Sequence, residues 1–252
     1  MFGEDRHRQI LELLRDRKTA SVHFIAKSLY ASEATIRRDL IRLESQGFLK
    51  RTYGGAVLIE GNDREIPFAY RETENRSSKL KIAEKAVQFV HEYDSLILDS
   101  SSTVLQMVQY LRRFTKLTII TNGLKITQLL SESANNKVYC TGGMLRENSL
   151  SFVGSNTERF ISDFQVDTLF FSCRGIARTG HITEGNESEA NLRRVMLNHA
   201  KQRILLCDSS KFDNTALMRI SYFDAIDYLI TDKVPNSDWR EMLNHYGVKI
   251  VY

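Results

Sequence analysis

The sequence predicts an α/β protein in two parts, a small N-terminal helical domain and a larger domain built on a mostly parallel sheet. Three observations support this prediction. Residues 1–59 carry three helical patterns followed by two short β-prone runs. Residues 60–77 are polar, show no strong apolar period and read as a linker. Residues 78–252 alternate short apolar runs with helical patterns, which is typical of parallel strands joined by helices.

The composition is that of an ordinary globular protein. The chain has 252 residues, of which 42% are hydrophobic and only 2 are prolines. No apolar run approaches the roughly 20 residues of a membrane-spanning helix, and residues 1–30 lack the apolar core of a signal peptide. We therefore expect a soluble, cytoplasmic protein with no membrane partner. Cys140, Cys173 and Cys207 have no metal-binding spacing, so we expect core cysteines, no metal and no cofactor.

The N-terminal elements predict a helix-turn-helix. Helices are expected over residues 6–17 and 21–30, and only Ala31 separates the second from a third, so the turn is tight. Ser32 can cap that third helix, because its hydroxyl can accept from an amide of the first turn. One face of the third helix is apolar and carries Ile36, Leu40 and Leu43. The residues on or beside the opposite face are Thr35, Arg37, Arg38 and Arg42.

A helix with one buried face and outward arginines has the shape needed to enter a major groove. From this spacing alone, an ordinary solvated helix is an equal alternative. The residues that follow favour the groove: Gly47 can end the helix, and two β-prone runs flank Gly54-Gly55 as in a hairpin. The hairpin completes a winged helix-turn-helix. Its DNA-contacting candidates are Lys50, Arg51 and Tyr53.

The positive charge is concentrated in this first domain. The formal net charge of the chain is only +4, and residues 1–60 hold +3 of it. Such a distribution indicates a nucleic-acid footprint confined to one small domain and excludes a general nucleic-acid coat.

The second domain is predicted to contain seven short strands and the helices between them. The strands are expected at 95–99, 117–121, 137–140, 166–173, 203–207, 228–231 and 248–251. The helices are expected at 78–90, 104–111, 126–130, 155–163, 187–200 and 237–246. The strands are apolar without alternation, which agrees with a sheet covered on both faces.

Polar and glycine-rich turns follow several of these strands. Parallel sheets bind ligands outside the carboxyl ends of their strands, and hydroxyls and amides at helix starts suit a phosphate. A lysine can add a point charge. Each turn alone is weak evidence, since serine-rich turns are usually caps, but several coincide. The effector-binding candidates are Asp99, Ser100, Ser101, Ser102, Thr103, Asn122, Gly123, Gly142, Gly143 and Lys211.

The motifs resemble those of DeoR-type bacterial repressors along nearly the whole chain. In the first domain these are TIRRDL at 35–40, Leu43-Glu44, Gly47 and GGA at 54–56. In the second they are DSSST at 99–103, TNG at 121–123, GG at 142–143, Phe152-Val153-Gly154 and DSSKF at 208–212. The chain departs from the family pattern in having Tyr53 where histidine is usual and Ser101 where glycine is common.

The resemblance implies a sensor domain related in fold to ribose-5-phosphate isomerase, which binds a phosphorylated sugar or related metabolite that usually relieves repression. The expected function is therefore a sequence-specific transcriptional regulator, a repressor of a sugar or polyol operon that is not an enzyme. Its partners would be double-stranded operator DNA and a phosphorylated effector, and a homodimer or homotetramer would bind repeated half-sites.

Two alternatives stay open at this point. The chain could be a sugar-phosphate isomerase or deaminase with an accessory DNA-binding-like domain, since fold alone does not decide function. Its general base would then be Asp99 or a glutamate within 184–189, although the stronger expectation for those glutamates is that they favour the dipole of the following helix. In the other alternative, the second domain serves only to form oligomers.

Overall fold

A computed structural model describes residues 3–45, 48–58, 66–132 and 136–252 of the chain. The protein divides into two compact units, residues 1–70 and residues 71–252. The predicted helix stop at Gly47 and the first part of the predicted linker, 60–65, lie outside the described residues. In the described part of the chain, no helix is long and apolar enough to cross a membrane.

The first unit is a winged helix-turn-helix. Along the chain it contains α1 (Gly3–Arg17), β1 (Thr19–Ser21), α2 (Val22–Ser28), α3 (Glu33–Ser45), β2 (Leu49–Thr52) and β3 (Gly55–Leu58). All three predicted helices and the hairpin are present. Strand β1 was not predicted, because three residues are too few to show an alternating pattern. It pairs antiparallel with β3 and makes the wing three-stranded, in the order β1-β3-β2.

Gly55 shows how closely β1 lies against the wing. A Cβ atom at this position would lie 2.4 Å from the carbonyl oxygen of Ala20. Any side chain would therefore push β1 away from β3. The apolar faces of the three helices meet in one core, where Ile10, Ile25 and Ile36 are fully buried.

The predicted linker, residues 60–77, differs from the structure in its second half. Helix α4 spans Phe68–Thr73, and helix α5 spans Arg76–Ala86, so the chain is helical where a polar connection was expected. Phe68 and Tyr70 are buried, and Tyr70 packs on Phe48 with ring centroids 5.7 Å apart. Helix α4 was not predicted, because its few apolar residues do not show a helical period in the sequence. The boundary between the units falls at 70/71 rather than after residue 77.

The second unit is an α/β domain whose central elements follow the predicted alternation. After α5 the chain forms β4 (Ser95–Leu98), α6 (Ser102–Leu105), α7 (Val108–Leu111), β5 (Thr118–Thr121), α8 (Leu124–Leu130), β6 (Lys137–Cys140), β7 (Met144–Arg146), β8 (Ser151–Val153), α9 (Ser155–Ser162) and β9 (Val166–Phe171). It continues with β10 (Gly175–Ile176), β11 (His181–Glu184), α10 (Glu187–Asn198), β12 (Ala200–Leu206), β13 (Met218–Tyr222), β14 (Tyr228–Ile230), α11 (Ser237–His245) and β15 (Lys249–Val251).

The seven predicted strands form one seven-stranded parallel sheet in the order β15-β14-β12-β9-β4-β5-β6. Leu96, Ile97 and Leu98 of β4 are all fully buried. Because successive side chains point to opposite faces of a sheet, both faces are covered here. The chain leaves β4 towards β5 in one direction and continues from β9 towards β12 in the other. The carboxyl ends of β4 and β9 therefore flank the switch point, where such sheets bind ligands.

Three features of the second unit were not predicted. Strands β10, β11 and β13 form a small antiparallel sheet, and β7 and β8 form a hairpin. The helix expected at 104–111 is two single turns, α6 and α7. The serine-rich turn after β4 therefore leads into a helix of only one turn, α6, whose dipole is correspondingly small.

Candidate functional sites

The start of α3 is fixed by its own hydroxyl groups. The Ser32 Oγ accepts a hydrogen bond from the Thr35 amide at 3.2 Å and lies 2.9 Å from the Thr35 Oγ1. This is the predicted cap. Both side chains stay at the accessible end of the helix, where they can still meet a phosphate or a base edge.

Asp39 holds α3 on α1 from the opposite, buried side. Its carboxylate accepts from the Arg6 Nε at 2.5 Å and Nη2 at 3.1 Å, and it lies 3.0 Å from the His7 Nε2. Burial would raise the pKa of Asp39, but the hydrogen bonds of Arg6 and His7 outweigh it and hold that pKa below its ordinary value. The aspartate of TIRRDL therefore orients the helix, while the arginines beside it face outward.

The three arginines of α3 are presented in two ways. The Arg37 Nη2 lies 3.2 Å from Glu33, which also lies 3.1 Å from the His23 Nδ1. Arg38 and Arg42 are exposed, and within the described residues neither takes part in an ion pair. Arg38 and Arg42 are thus free for a DNA partner, whereas Arg37 is partly neutralised.

The wing presents one cation and one aromatic ring. Lys50 is exposed without an ion pair in the described part of the chain. The Arg51 Nε lies 2.5 Å from the Glu44 Oε2, and its amide donates to the same carboxylate at 2.8 Å. Arg51 therefore ties the wing to α3. Tyr53 is fully exposed in the two-residue turn that it forms with Gly54, whose φ is +87°.

In the second unit, the turns after β4, β5, β9 and β12 meet at one edge of the sheet. We call this region, residues 99–103, 122–123, 172 and 208–211, the polar edge. Asp99 joins its parts at the switch point. The Asp99 Oδ1 accepts from the Ser101 amide at 2.9 Å, and the Oδ2 accepts from the Ser172 amide at 3.1 Å and from the Arg193 Nε at 2.9 Å. Because Asp99 is fully engaged, we assign it to shaping the edge rather than to touching a ligand.

Arg193 is the centre of a buried charged cluster that was not predicted. Besides Asp99, its guanidinium contacts Glu184 at 3.1 Å and Glu189 at 3.2 Å, and Arg146 contacts Glu189 at 3.4 Å. Burial would lower the pKa of Arg193, but the three carboxylates outweigh it and raise that pKa. The residues next to Arg193 in the sequence do not distinguish it from other helical arginines, so it could not be identified from the sequence.

The same cluster leaves none of its carboxylates available as a general base. Burial acts to raise the pKa of Glu189, but Arg193 and the hydroxyl of Ser151, which donates to Glu189, bring it below its ordinary value. Asp99 and Glu184 are bound to the same guanidinium. A general base for isomerisation must be within hydrogen-bond reach of the substrate proton that it removes. These carboxylates are instead bound to Arg193, so the geometry does not favour the enzyme alternative.

The serine-rich turn is buried, and each of its hydroxyl groups has a separate role. The Ser101 Oγ accepts from the Val104 amide at 3.2 Å and so caps α6. Ser101 has φ −70° and ψ 149°, an ordinary extended conformation that does not require glycine. The Ser102 Oγ accepts from the Lys79 Nζ at 3.0 Å, and the Ser100 Oγ accepts from the Asn122 Nδ2 at 3.4 Å.

Two polar atoms of the polar edge are buried without a hydrogen-bond partner in the described residues. These are the Thr103 Oγ1 and the Asn122 Oδ1. Buried polar groups are normally hydrogen-bonded, so a polar ligand would complete both. Gly123 lets the two turns approach, since a Cβ there would lie 3.2 Å from the Ser100 Cα.

Gly142 and Gly143 follow β6, but their contacts are with β8 and α9. The Gly142 carbonyl accepts from the Thr157 Oγ1 at 2.7 Å. A Cβ at Gly143 would lie 2.1 Å from that Thr157 oxygen and 2.9 Å from the Val153 carbonyl oxygen. The close approach permitted by Gly143 is therefore one of protein packing. A Cβ at Gly142, where φ is +62°, would meet open space.

Two lysines face the polar edge. The Lys211 Nζ donates to the Ser172 Oγ at 2.9 Å and lies 3.9 Å from the Asp208 carboxylate. Lys79 of α5 was not predicted. It is only 4% exposed, and its ammonium donates to the Ser102 Oγ and to the Arg71 carbonyl oxygen. A signal was present, because Lys79 falls on the same helical face as the buried Ile82, Ala83 and Ala86.

Lys79 is an unusual cation because of its surroundings. Burial, and then the nearby charge of Lys211, lower its pKa from 10.5 to about 8. The buried Cys173 and Cys207 lie beyond Ser172 and Asp208 in the core, where burial raises the pKa of the Cys207 thiol. Among the described residues, no group of three or more histidine, cysteine or acidic side chains is arranged to hold a metal ion.

Comparison with known proteins assigns each unit to a family. Residues 6–62 match the sequence model of the DeoR-like helix-turn-helix domain, and residues 74–233 match that of the DeoR C terminal sensor domain. The two matched ranges lie on opposite sides of the 70/71 boundary between the two units. In fold, the chain is similar to ribose 5-phosphate isomerase A from Methanocaldococcus jannaschii, with a TM-score of 0.42, 17% identity and 55% of each chain covered.

Full-length relatives agree with these domain matches. The chain is 37% identical to the uncharacterized HTH-type transcriptional regulator YulB of Bacillus subtilis, covering 92% of this chain and 90% of that protein. It is 32% identical to the transcriptional repressor GlcR of Bacillus subtilis, covering 100% and 96%. It is 31% identical to the putative aga operon transcriptional repressor of Escherichia coli O157:H7, covering 98% and 93%. The resemblance seen in the motifs is confirmed: the chain belongs to the DeoR family of transcriptional regulators and is a DNA-binding regulator rather than an enzyme.

Proposed function

We propose that the protein represses a sugar or polyol operon by inserting α3 into the major groove of its operator. The observation that carries this proposal is a pair of exposed arginines, Arg38 and Arg42, which form no ion pair within the described residues and lie on a helix whose other face is locked by Asp39. Arg38 reads a base edge, since a guanidinium can donate two hydrogen bonds to guanine. Lys50 contacts a phosphate, Arg51 makes a weaker phosphate contact because Glu44 partly neutralises it, and Tyr53 contacts the backbone from the tip of the wing.

Ser32, Thr35 and Arg37 complete the contact surface in this proposal. The hydroxyls of Ser32 and Thr35 meet a phosphate at the start of α3, and Arg37 makes a weaker contact because Glu33 partly neutralises it. Two copies of the surface are needed to read repeated half-sites, so we propose a homodimer or homotetramer acting on DNA in the cytoplasm. Light scattering of the purified chain, alone and with DNA, measures the oligomeric state.

We further propose that a phosphorylated sugar binds at the polar edge and weakens DNA binding. The support is that Lys211 meets two buried atoms at the switch point, the Thr103 Oγ1 and the Asn122 Oδ1, which have no hydrogen-bond partner in the part of the chain that the structure describes. Lys211 would contact the phosphate, and the Asn122 Oδ1 would accept from a sugar hydroxyl. In this proposal Ser100, Ser102 and Gly123 form the walls, and Ser101 shapes the loop. Gly142 borders the site, and Gly143 supports it through packing on Thr157 and Val153. Linkage requires the ligand to prefer the DNA-free form.

The test is a DNA duplex selected in vitro from random sequence by the full chain. Its affinity is measured with and without hexose, pentose and polyol phosphates, and binding to the protein is followed in parallel by thermal shift. We expect one class of phosphate to raise the melting temperature and to weaken the selected duplex. If several phosphates bind but DNA affinity is unchanged throughout, the edge binds ligand without regulating DNA. If none binds, the second unit is an oligomerisation domain.

A further inference from the structure

Lys79 occupies a position that the fold alone does not explain. It lies on the apolar face of α5, yet it is a cation, and its side chain is almost wholly buried. Burying a charge is costly unless an opposite charge accompanies it. Within the described residues Lys79 forms no ion pair, and its hydrogen-bond acceptors are two neutral oxygens, the Ser102 Oγ and the Arg71 carbonyl.

The charges around Lys79 come from three parts of the second unit. Lys211 of the turn after β12 and Arg71 of α4 are cations and disfavour its protonated form. Asp208 and Glu74 are anions and favour it. Burial is the largest influence, and together with the two cations it lowers the pKa of Lys79 to about 8. The Lys79 ammonium donates to Ser102 and the Lys211 ammonium donates to Ser172, so both lie at the polar edge, where a bound anion would reduce their mutual repulsion.

The ammonium of Lys79 also joins two segments. Ser102 belongs to the polar edge, and Arg71 is the first residue of the second unit, in the helix that spans the boundary. Asn75 makes a second connection between the same segments, because its Nδ2 donates to the Ser210 Oγ at 3.0 Å and to the Asp208 Oδ1 at 3.4 Å. Residues 71–79, the α4–α5 segment, are thus held by the loops that would bind the effector.

We propose that Lys79 is the positioning residue that reports an occupied polar edge to the α4–α5 segment. The phosphate of the effector replaces the Arg71 carbonyl as a partner of the Lys79 ammonium, and the segment that follows the DNA-binding unit is released. This inference rests on the proposed effector site and names the contact through which that site acts. Lys79 binds the anion together with Lys211, and the loss of its bond to Arg71 is the signal.

Hydrogen–deuterium exchange of the full chain tests this exchange of partners. The probes are inorganic phosphate and the hexose, pentose and polyol phosphates of the thermal-shift panel. In the wild-type protein we expect a bound phosphate to slow exchange at residues 99–104. We expect it to speed exchange at residues 71–79 by about tenfold, the effect of losing one charged hydrogen bond.

Two variants separate the coupling from binding. In Lys79→Met, residues 71–79 should exchange fast with or without phosphate, while residues 99–104 are still slowed at higher ligand concentration. Lys81→Met is the matched control, because Lys81 is an exposed lysine two residues further along α5 and should respond like the wild type. If Lys79→Met does not fold, Lys79→Gln is used instead. Its amide can keep the bond to the Arg71 carbonyl but has no charge to attract the phosphate, so residues 71–79 should exchange slowly with or without phosphate.

The outcomes distinguish this inference from the proposed function. Slowed exchange at 99–104 with no change at 71–79 in the wild type would overturn the role of Lys79 and leave the effector site standing. The same follows if Lys79→Met or Lys79→Gln responds as the wild type does. If no phosphate affects residues 99–104 in the wild-type protein, it is the proposed effector site that fails.

Discussion

The cations to which we assign the main roles are placed in opposite ways in the two units. Arg38, Arg42 and Lys50 of the winged helix are exposed and have no ion pairs in the described residues, whereas Arg193 and Lys79 of the sensor are buried. Exposed cations act nearly independently, are screened by salt and need a partner from outside. Buried cations are bound to residues far away in the chain, so each change there disturbs a network. Substitutions of the exposed cations should therefore have additive effects, whereas substitutions of the buried cations should not.

The largest expected effect is on the buried side. Arg193→Met would leave Asp99, Glu184 and Glu189 without their shared guanidinium, and we expect a loss of about 3–5 kcal/mol in the free energy of unfolding. Trp239 is the only tryptophan and lies buried in the second unit, so its fluorescence in urea reports that unit. The exposed Arg240→Met is the control, with an expected change within about 0.5 kcal/mol. Equal stability of the two variants would contradict the role given to the cluster.

The next effect concerns base reading by an exposed arginine. Arg38→Ala should weaken binding to the selected duplex by about 1–3 kcal/mol and leave binding to random DNA much less affected. Arg37→Ala should cost less, because Glu33 already holds that guanidinium. Fluorescence anisotropy with both DNA types measures the difference. A larger loss from Arg37→Ala than from Arg38→Ala would show that the two arginines have been assigned the wrong way round.

A smaller effect is expected from titrating Lys79. Its pKa of about 8 means that the ammonium is mostly protonated at pH 7 and mostly neutral at pH 9. An anion binds the protonated form, and a phosphate ester is already a dianion above pH 7. Affinity for a sugar phosphate should therefore fall about tenfold between pH 7 and pH 9. Calorimetry of Lys79→Met should give weaker binding with little pH dependence in this window; an equally steep fall would assign the titration elsewhere.

The smallest effect should come from the wing. Lys50→Ala removes one phosphate contact, so we expect a modest and equal loss of affinity for selected and random DNA. The slope of log affinity against log salt should become shallower by about 1. Titrations at several salt concentrations measure it. A loss confined to the selected duplex would instead make Lys50 a base-reading residue.

The same contrast explains what the sequence could predict. The seven strands of the parallel sheet and the three helices of the first unit were found because their apolar patterns are local. The predicted DNA-binding residues and the polar edge were placed by local motifs in the same way, and their roles stay predictions. Strand β1 and the α4 helix were missed because each has too few residues to establish a period.

The buried network could not be predicted, because its partners are distant in sequence. Arg193 contacts Asp99 across 94 positions, and Lys79 contacts Ser102 across 23. No local pattern encodes such pairings. Asp99 is a further example, because its position at a strand end was visible in the sequence, whereas the Arg193 guanidinium that binds it was not. Only the lysine on the apolar face of α5 could have been noticed from the sequence.

Ser101 carries a consequence for how this protein could diverge from its relatives. Where the family commonly has glycine, this chain has Ser101, whose hydroxyl accepts a hydrogen bond from the Val104 amide without straining the backbone. A glycine there would leave that amide to a ligand oxygen. A single side chain thus sets how many backbone donors the loop offers. If the proposed effector site is right, a single substitution at position 101 is expected to change sugar preference while the sheet and the winged helix stay as they are.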